Sequence, residues 1–300
     1  MSLSAQLPVI AAAIGSSFGG TAAVAARILA PEAGPTTVSL MRYLGLLLLL
    51  LAGMLLLRLR LPRVARADWP MLISMGVLQF GLFGWFFSAG FTYVSAARGA
   101  IMLATMPMQT LLLAALLGRE RFTLRKLVGM AIGVAGVAVA LWSDEAAVSP
   151  EAWKGDLFLL AAAFVTALNS VIVGPFLVRY SVHAVSLIAT FVGCVLLGTV
   201  SLATGSYAEI GRLSAGGWVA IAYFAAVPTF LGLITWTWAL KRVAPTRVTV
   251  TVVLNPIAAA IAGAWYLGEP LDPRILAGLA LVTIAIVVVN WPARDAARRS

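Results

Sequence analysis

Apolar residues run in long blocks along this chain, and polar and charged residues collect in the short gaps between them. Ten blocks stand out, at about 7–29, 36–57, 69–91, 95–118, 124–142, 154–174, 183–204, 216–239, 245–267 and 273–291. Each is close to the ~20 apolar residues that a helix needs to cross a bilayer. A helix satisfies its own backbone hydrogen bonds, which hydrocarbon cannot do. A spanning β-barrel would instead show stretches of ~10 residues alternating apolar with polar, and these blocks are longer and do not alternate. The pattern predicts an all-α integral membrane protein with ten transmembrane helices. No basic residue precedes the first block, which also outruns a ~7–15-residue signal core, so it reads as a span rather than a cleaved leader.

The blocks repeat. Shifted by 149 residues, Trp69 meets Trp218, Leu82 meets Leu231, Pro107 meets Pro256 and Glu120 meets Glu269. Arg125 meets Arg274, Leu127 meets Leu276, Gly129 meets Gly278 and Trp142 meets Trp291, with no gap across the last three blocks of each half. Earlier, VSLM at 38–41 resembles VSLI at 185–188. Helix starts match too: Thr123 and Asp272 are both suitable N-caps, and Pro273 suits the first helical position. The domain reading is two five-helix units, 1–148 and 149–300. Because five is odd, the second unit enters the membrane from the opposite side. Inverted repeats of this kind build secondary transporters around a central cavity near the midplane. Pro107 and Pro256 fall near the middle of blocks four and nine. Each removes a backbone donor and crowds the preceding turn, which makes both candidate hinges; prolines are also simply tolerated in membrane helices.

Composition sharpens the class. The apolar fraction is 62%, the charged fraction 11% and the mean hydropathy +1.00, against roughly 45–50% and about 25% for soluble domains. The net charge of +10 does not point to nucleic acid, because the basic residues flank apolar blocks and read as a topology signal. Most of the 21 Lys and Arg lie at 58–66, 119–126, 179, 241–247 and 294–299. Those segments share one face of a ten-span chain, and the positive-inside rule puts that face, with both termini, in the cytoplasm. Membrane lipids are the expected surroundings. One cysteine, Cys194, excludes an internal disulfide. A single histidine, His183, and no carboxylate in the hydrocarbon core of any block argue against an intramembrane enzyme, and no metal or cofactor is called for.

Polar side chains deep in hydrocarbon are costly unless they face protein or water, so they mark candidate cavity positions. Near the midplane these are Ser16 and Ser17 in block one, Gln79 in block three, Thr105 and Gln109 in block four, Thr166 and Asn169 in block six, and Asn255 in block nine. Hydroxyls can equally bond their own helix carbonyls; amides hide less easily. Arg42, with Tyr43 beside it, sits deeper than the other outer cations. It suits a substrate carboxylate near the outer mouth, or else snorkels to headgroups. Trp85 and Tyr223 offer an aromatic lining. Amides and hydroxyls suit a zwitterion or neutral polar molecule rather than a polyanion. Gly15 with Gly19, and Gly129 with Gly133, have the spacing that lets helices approach closely.

The five-plus-five plan, PMQTLLLAALLGRERFTLRKLVG against PIAAAIAGAWYLGEPLDPRILAG, and GSSFGG in the first block resemble the ten-span EamA type of the drug/metabolite transporter superfamily. In length and layout the chain looks like the YddG-type aromatic amino-acid exporters. The resemblance implies a bacterial inner-membrane exporter of small metabolites. It also implies that spans 1–4 and 6–9 surround the cavity, with 5 and 10 as supports. The small multidrug-resistance relatives carry a membrane glutamate in their first span; here the region reads AAAIGSSFGG, which puts proton antiport in doubt. The expected function is export of aromatic and other hydrophobic amino acids and related metabolites by alternating access. The alternative is a broad-specificity exporter of drugs or toxic metabolites.

Overall fold

A computed structural model describes residues 3–58, 64–118, 123–142, 150–173, 180, 182–240, 242, 248 and 250–290. The described residues are helical apart from their connections. Helix α1 covers Leu3–Leu29, α2 Pro35–Leu56, α3 Trp69–Met75, α4 Phe83–Gly90, α5 Ala96–Leu103, α6 Met106–Leu116 and α7 Leu124–Leu141. The second half supplies α8 at Ala152–Val173, α9 at Val182–Thr204, α10 at Ala215–Phe224, α11 at Gly232–Leu240, α12 at Leu254–Leu267 and α13 at Pro273–Asn290. Among the described residues, eight helical stretches are long and apolar enough to cross a membrane, and two shorter apolar helices cover Thr251–Leu267 and Pro273–Val288. Blocks nine and ten extend, at 245–247, 249 and 291, outside the described residues. So do Glu120, Trp291, the junction expected at 148/149 and much of the basic charge at 60–63, 119–121, 179, 241, 247 and 294–299.

Helix ends follow local chemistry. Thr123 Oγ1 accepts from the Lys126 amide, and Asp272 Oδ1 from the Arg274 amide at 2.7 Å. Ser214 Oγ caps α10 by accepting from the Gly217 amide at 3.0 Å. Gly268, at φ 65, ends α12 in the left-handed region that glycine enters without steric cost.

The third and eighth blocks are not plain α-helix. Gly76–Leu82 joins α3 to α4 as a π-helical segment, and Ala225–Leu231 joins α10 to α11 in the same way. The two segments are related by the 149-residue shift at both ends. Pro228 explains one of them locally: without an N–H it cannot serve the Phe224 carbonyl, the i→i+5 pattern passes that carbonyl on to Thr229, and the Thr229 hydroxyl also donates to it at 2.7 Å. Gly76–Leu82 contains no proline. Its room comes from packing, because Gly76 and Gly193 bring α9 close against it.

Blocks four and nine break where their prolines predict. Leu103, four residues before Pro107, ends α5, and α6 starts at Met106. Pro256 lies just inside α12, which follows a tighter 3-10 turn over Val250–Val253. In both, the break falls at the carbonyl that the proline cannot serve.

Repeat mates α7 and α13 pack on each other more extensively than any other pair of helices. They run antiparallel, since Arg274 at the start of α13 donates to the Trp142 carbonyl at the end of α7 at 2.8 Å. Their backbones nearly touch: a Cβ added at Gly278 would stand 2.7 Å from the Gly136 carbonyl. The close approach is therefore made within one chain.

One face of the molecule is tied together by polar contacts between the two halves. Glu32 at the end of α1 accepts from the Ser214 amide and hydroxyl at 2.9 and 2.8 Å. Glu209 accepts from the Gly34 amide at 2.8 Å. Glu269 accepts from Arg27 Nε at 3.1 Å and from the Ala96 amide at 2.9 Å. Arg98 pairs with Asp156. Beneath these lies the largest apolar core, with Leu29, Phe87, Phe91, Ile101, Phe224 and Ile286 among its members. The start of α1 and the end of α13 both point away from this sealed face.

Candidate functional site

Below the seal, polar side chains from both halves meet along two seams. On one, α1 packs against α12. Ser16 and Thr251 share a hydrogen bond of 3.0 Å, and Gly19 and Gly20 leave the room that Asn255 occupies. On the other, α8 packs against α6 and the Gly76–Leu82 segment. There the Asn169 amide nitrogen faces Gln79 Oε1 at 3.4 Å. Gln109 Nε2 donates to Thr105 Oγ1 at 2.9 Å and to the Leu160 carbonyl of α8 at 3.4 Å.

This second seam is under-satisfied. Asn169 Oδ1 and Thr166 Oγ1 are buried and have no hydrogen-bond partner among the described residues. They lie three residues apart on one face of α8. Buried polar atoms are normally paired, so two adjacent orphans mark a place for water or a polar ligand.

Arg42 and Tyr43 form a third group toward the sealed face. Arg42 is 7% exposed. Its Nε donates to Thr229 Oγ1 at 2.9 Å, and its guanidinium carbon lies 4.2 Å from the Phe224 ring centre, 5.0 Å from Tyr43 and 5.3 Å from Phe87. Tyr43 meets Phe80 edge-on at 5.3 Å. Phe80 follows Gln79 in the π-helical segment, which links this group to the amide seam.

The remaining candidates sit elsewhere. Ser17 bonds its own Ala13 carbonyl at 3.0 Å; Thr105, already in the second seam, also donates to the Met102 carbonyl at 2.6 Å. Trp85 Nε1 donates to Thr36 Oγ1 at 3.1 Å, near the start of α2, and packs on Phe86 and Phe158. Tyr223 is exposed, with its hydroxyl on Thr21 Oγ1 at 2.7 Å.

The model of the EamA-like transporter family matches residues 6–142 and again 153–291. The chain belongs to this family. It is 27% identical, over 77% of its length and 75% of the relative's, to a probable terminal-alkyne amino-acid exporter of Streptantibioticus cattleyicolor. It is 26% identical to a WAT1-related chloroplast protein of Arabidopsis thaliana, over 92% of this chain and 67% of that one. An uncharacterized transporter of Archaeoglobus fulgidus is 24% identical over 76% of the chain and 79% of its own length. A protein of known crystal structure superposes with a TM-score of 0.67 over 100% of this chain and 99% of its own, at 18% identity, and so shares the fold.

In this EamA-like transporter several contributors carry no signal that pattern reading can detect. Asp156, at the start of block six, and Glu269, in the gap after block nine, each pair with an arginine at the sealed face. Phe224 reads as one more apolar residue of block eight, yet it lies under the Arg42 guanidinium. Ser39 and Ser88 bond each other at 2.9 Å between α2 and α4. Thr229 had a usable signal: a hydroxyl directly after an intramembrane proline.

Proposed function

We propose that this EamA-like transporter is a secondary exporter of amino acids, aromatic and other hydrophobic ones foremost, and of related small metabolites across the bacterial inner membrane. Ten spans form two inverted units, 1–148 and 149–300, that rock about a central cavity. Antiparallel packing of the repeat mates α7 and α13 supports the inversion. The observation that carries the reading is the under-satisfied amide seam, where Asn169 and Thr166 present buried, uncharged polar atoms beside Gln79. An uncharged polar seam suits a zwitterion, which brings its own compensating charges. The amino-acid exporter relative points the same way.

The sealed face is the outer one if the basic segments lie in the cytoplasm. The state described here is then closed to the outside. Opening it needs the two halves to part at Glu32–Ser214, Arg27–Glu269 and Arg98–Asp156. The helix breaks at Pro107 and Pro256 are the hinges that absorb this movement. Ser16, Gln109, Thr251 and Asn255 line the facing seams and change partners as the halves rock.

Counterflow of labelled tryptophan, threonine and methionine into proteoliposomes, with and without a pH gradient, tests this. Saturable exchange that ignores the gradient is the expected result. Exchange of a cationic dye with no amino-acid competition would move the broad drug-exporter reading to the front.

A further inference from the structure

Arg27, Arg42 and Arg98 lie within α1, α2 and α5 near the sealed face, and they differ in one respect. Arg27 has Glu269 and Arg98 has Asp156 as carboxylate partners. Arg42 is buried and has no carboxylate partner among the described residues. Of its five N–H donors, the one on Nε is used, by Thr229. Nη1 is buried and has no hydrogen-bond partner among the described residues. A buried guanidinium in this condition loses its hydration without regaining an equivalent interaction. The rings of Phe224, Tyr43 and Phe87 recover part of that through their negative faces. They leave the edge bearing the two terminal nitrogens without an anion.

The surroundings define what that edge accepts. A planar fork of N–H groups matches a carboxylate in a two-pronged arrangement. Three aromatic rings next to it favour an apolar body and disfavour a heavily hydrated polyanion. Tyr43 packs edge-on against Phe80, the residue after Gln79, so the Arg42 group and the Gln79–Asn169 amides belong to adjoining parts of the same packing. Thr229 fixes the guanidinium from the far side: its hydroxyl donates to the Phe224 carbonyl and accepts from Arg42 Nε. The π-helical turn of Ala225–Leu231 thereby becomes part of the binding site, as such turns often are.

We propose that Arg42 is the receptor for the carboxylate of the transported molecule, so that the site takes monocarboxylates with an apolar side chain and rejects amines that lack the carboxylate. This rests on the exporter reading above for the direction of transport but not for the amino group.

The test separates the two claims. Purified wild type is heated in detergent with tryptophan, indole-3-propionate (carboxylate, no amine) or tryptamine (amine, no carboxylate), and the same compounds compete for tryptophan counterflow. Tryptophan and indole-3-propionate are expected to raise the unfolding temperature of the wild type and to compete, and tryptamine to do neither. In Arg42→Gln the effect of both carboxylates falls tenfold or more, and Arg42→Lys retains part of it. Tryptamine acting as well as tryptophan on the wild type overturns the proposal, even where Arg42→Gln fails to fold. Equal tryptophan affinity in a folded Arg42→Gln overturns it while leaving amino-acid export standing. Stabilisation by indole-3-propionate but by no amino acid keeps Arg42 as the receptor and removes the amino-acid reading. Absence of any effect by any of the carboxylates on the wild type removes both.

Discussion

Arg98 grips Asp156 with two nitrogens, Nε to Oδ1 at 3.0 Å and Nη2 to Oδ2 at 2.7 Å, and both side chains are almost wholly buried. A third nitrogen, Nη1, donates to the Ala140 carbonyl at 3.3 Å. The pair thus joins α5, the end of α7 and the start of α8 at the sealed face. Removing one partner of a buried pair leaves an uncompensated charge and costs ~3–5 kcal/mol, whereas replacing both with apolar residues is often neutral. Asp156→Asn should therefore lower the unfolding temperature sharply in detergent, and Arg98→Met with Asp156→Leu should recover most of it. If Asp156→Asn melts like the wild type, the pair does not hold the face together.

Arg27 and Glu269 sit in the same seal but closer to solvent, with 32% and 10% of their side chains exposed. A pair screened by water contributes little to overall stability. Its importance lies in linking α1, the start of α5 and the end of α12 across the two halves. Glu269→Gln weakens that link, and the expected effect is on opening rather than on melting. In a Cys194→Ser background, a cysteine introduced at the buried Ala97 should react several-fold faster with a membrane-impermeant maleimide when Glu269→Gln is also present. An unchanged rate, with labelling of an exposed control position intact, would count against the seal as a gate.

Much of this was readable in advance, and for identifiable reasons. Helix positions followed from block length, and the repeat from Pro107/Pro256 and Gly129/Gly278, because those features are local and the membrane forces helices. The break before Pro107 followed from one missing N–H. What the sequence could not place was partnership across distance. Nothing near Arg98 announces Asp156, 58 residues on, and nothing in GVLQFGL announces a π-helical turn. Glu32 and Glu209 lie in gaps between blocks, where nothing local shows that they cap or bridge helices of the other half. Single hydroxyls divided as local chemistry allows: Ser17 bonds its own helix, and Ser16 finds Thr251 on the facing one.

The contact of Gly136 with Gly278 gives a prediction about packing. A side chain at Gly278 meets a backbone carbonyl and the Ala140 side chain, neither of which can swing aside. Overpacking of this kind costs typically ~1–3 kcal/mol. Gly278→Val should lower the unfolding temperature and separate α7 from α13. Gly53, in α2, has nothing within 4 Å of an added Cβ. There Gly53→Ala should be neutral or stabilise by up to ~1 kcal/mol through helix propensity. The opposite order of effects would mean that the two supporting helices are not in this contact.

Thr229 provides the last prediction, because its hydroxyl has two roles that one substitution separates from shape. It donates to the Phe224 carbonyl at 2.7 Å and accepts from Arg42 Nε at 2.9 Å. Valine has nearly the same volume but can do neither, and hydrogen bonds to charged groups contribute ~1.5–3 kcal/mol. With Thr229→Val, Arg42 loses its sole hydrogen bond among the described residues, and the Phe224 carbonyl loses its hydroxyl donor. Serine restores both bonds with one methyl fewer. The half-saturation concentration for tryptophan counterflow should rise roughly tenfold in Thr229→Val and stay near the wild-type value in Thr229→Ser. A reverse pattern, with valine tolerated and serine impaired, would show that the methyl group rather than the hydroxyl matters at this turn. Arg42 would then be held by its aromatic neighbours alone.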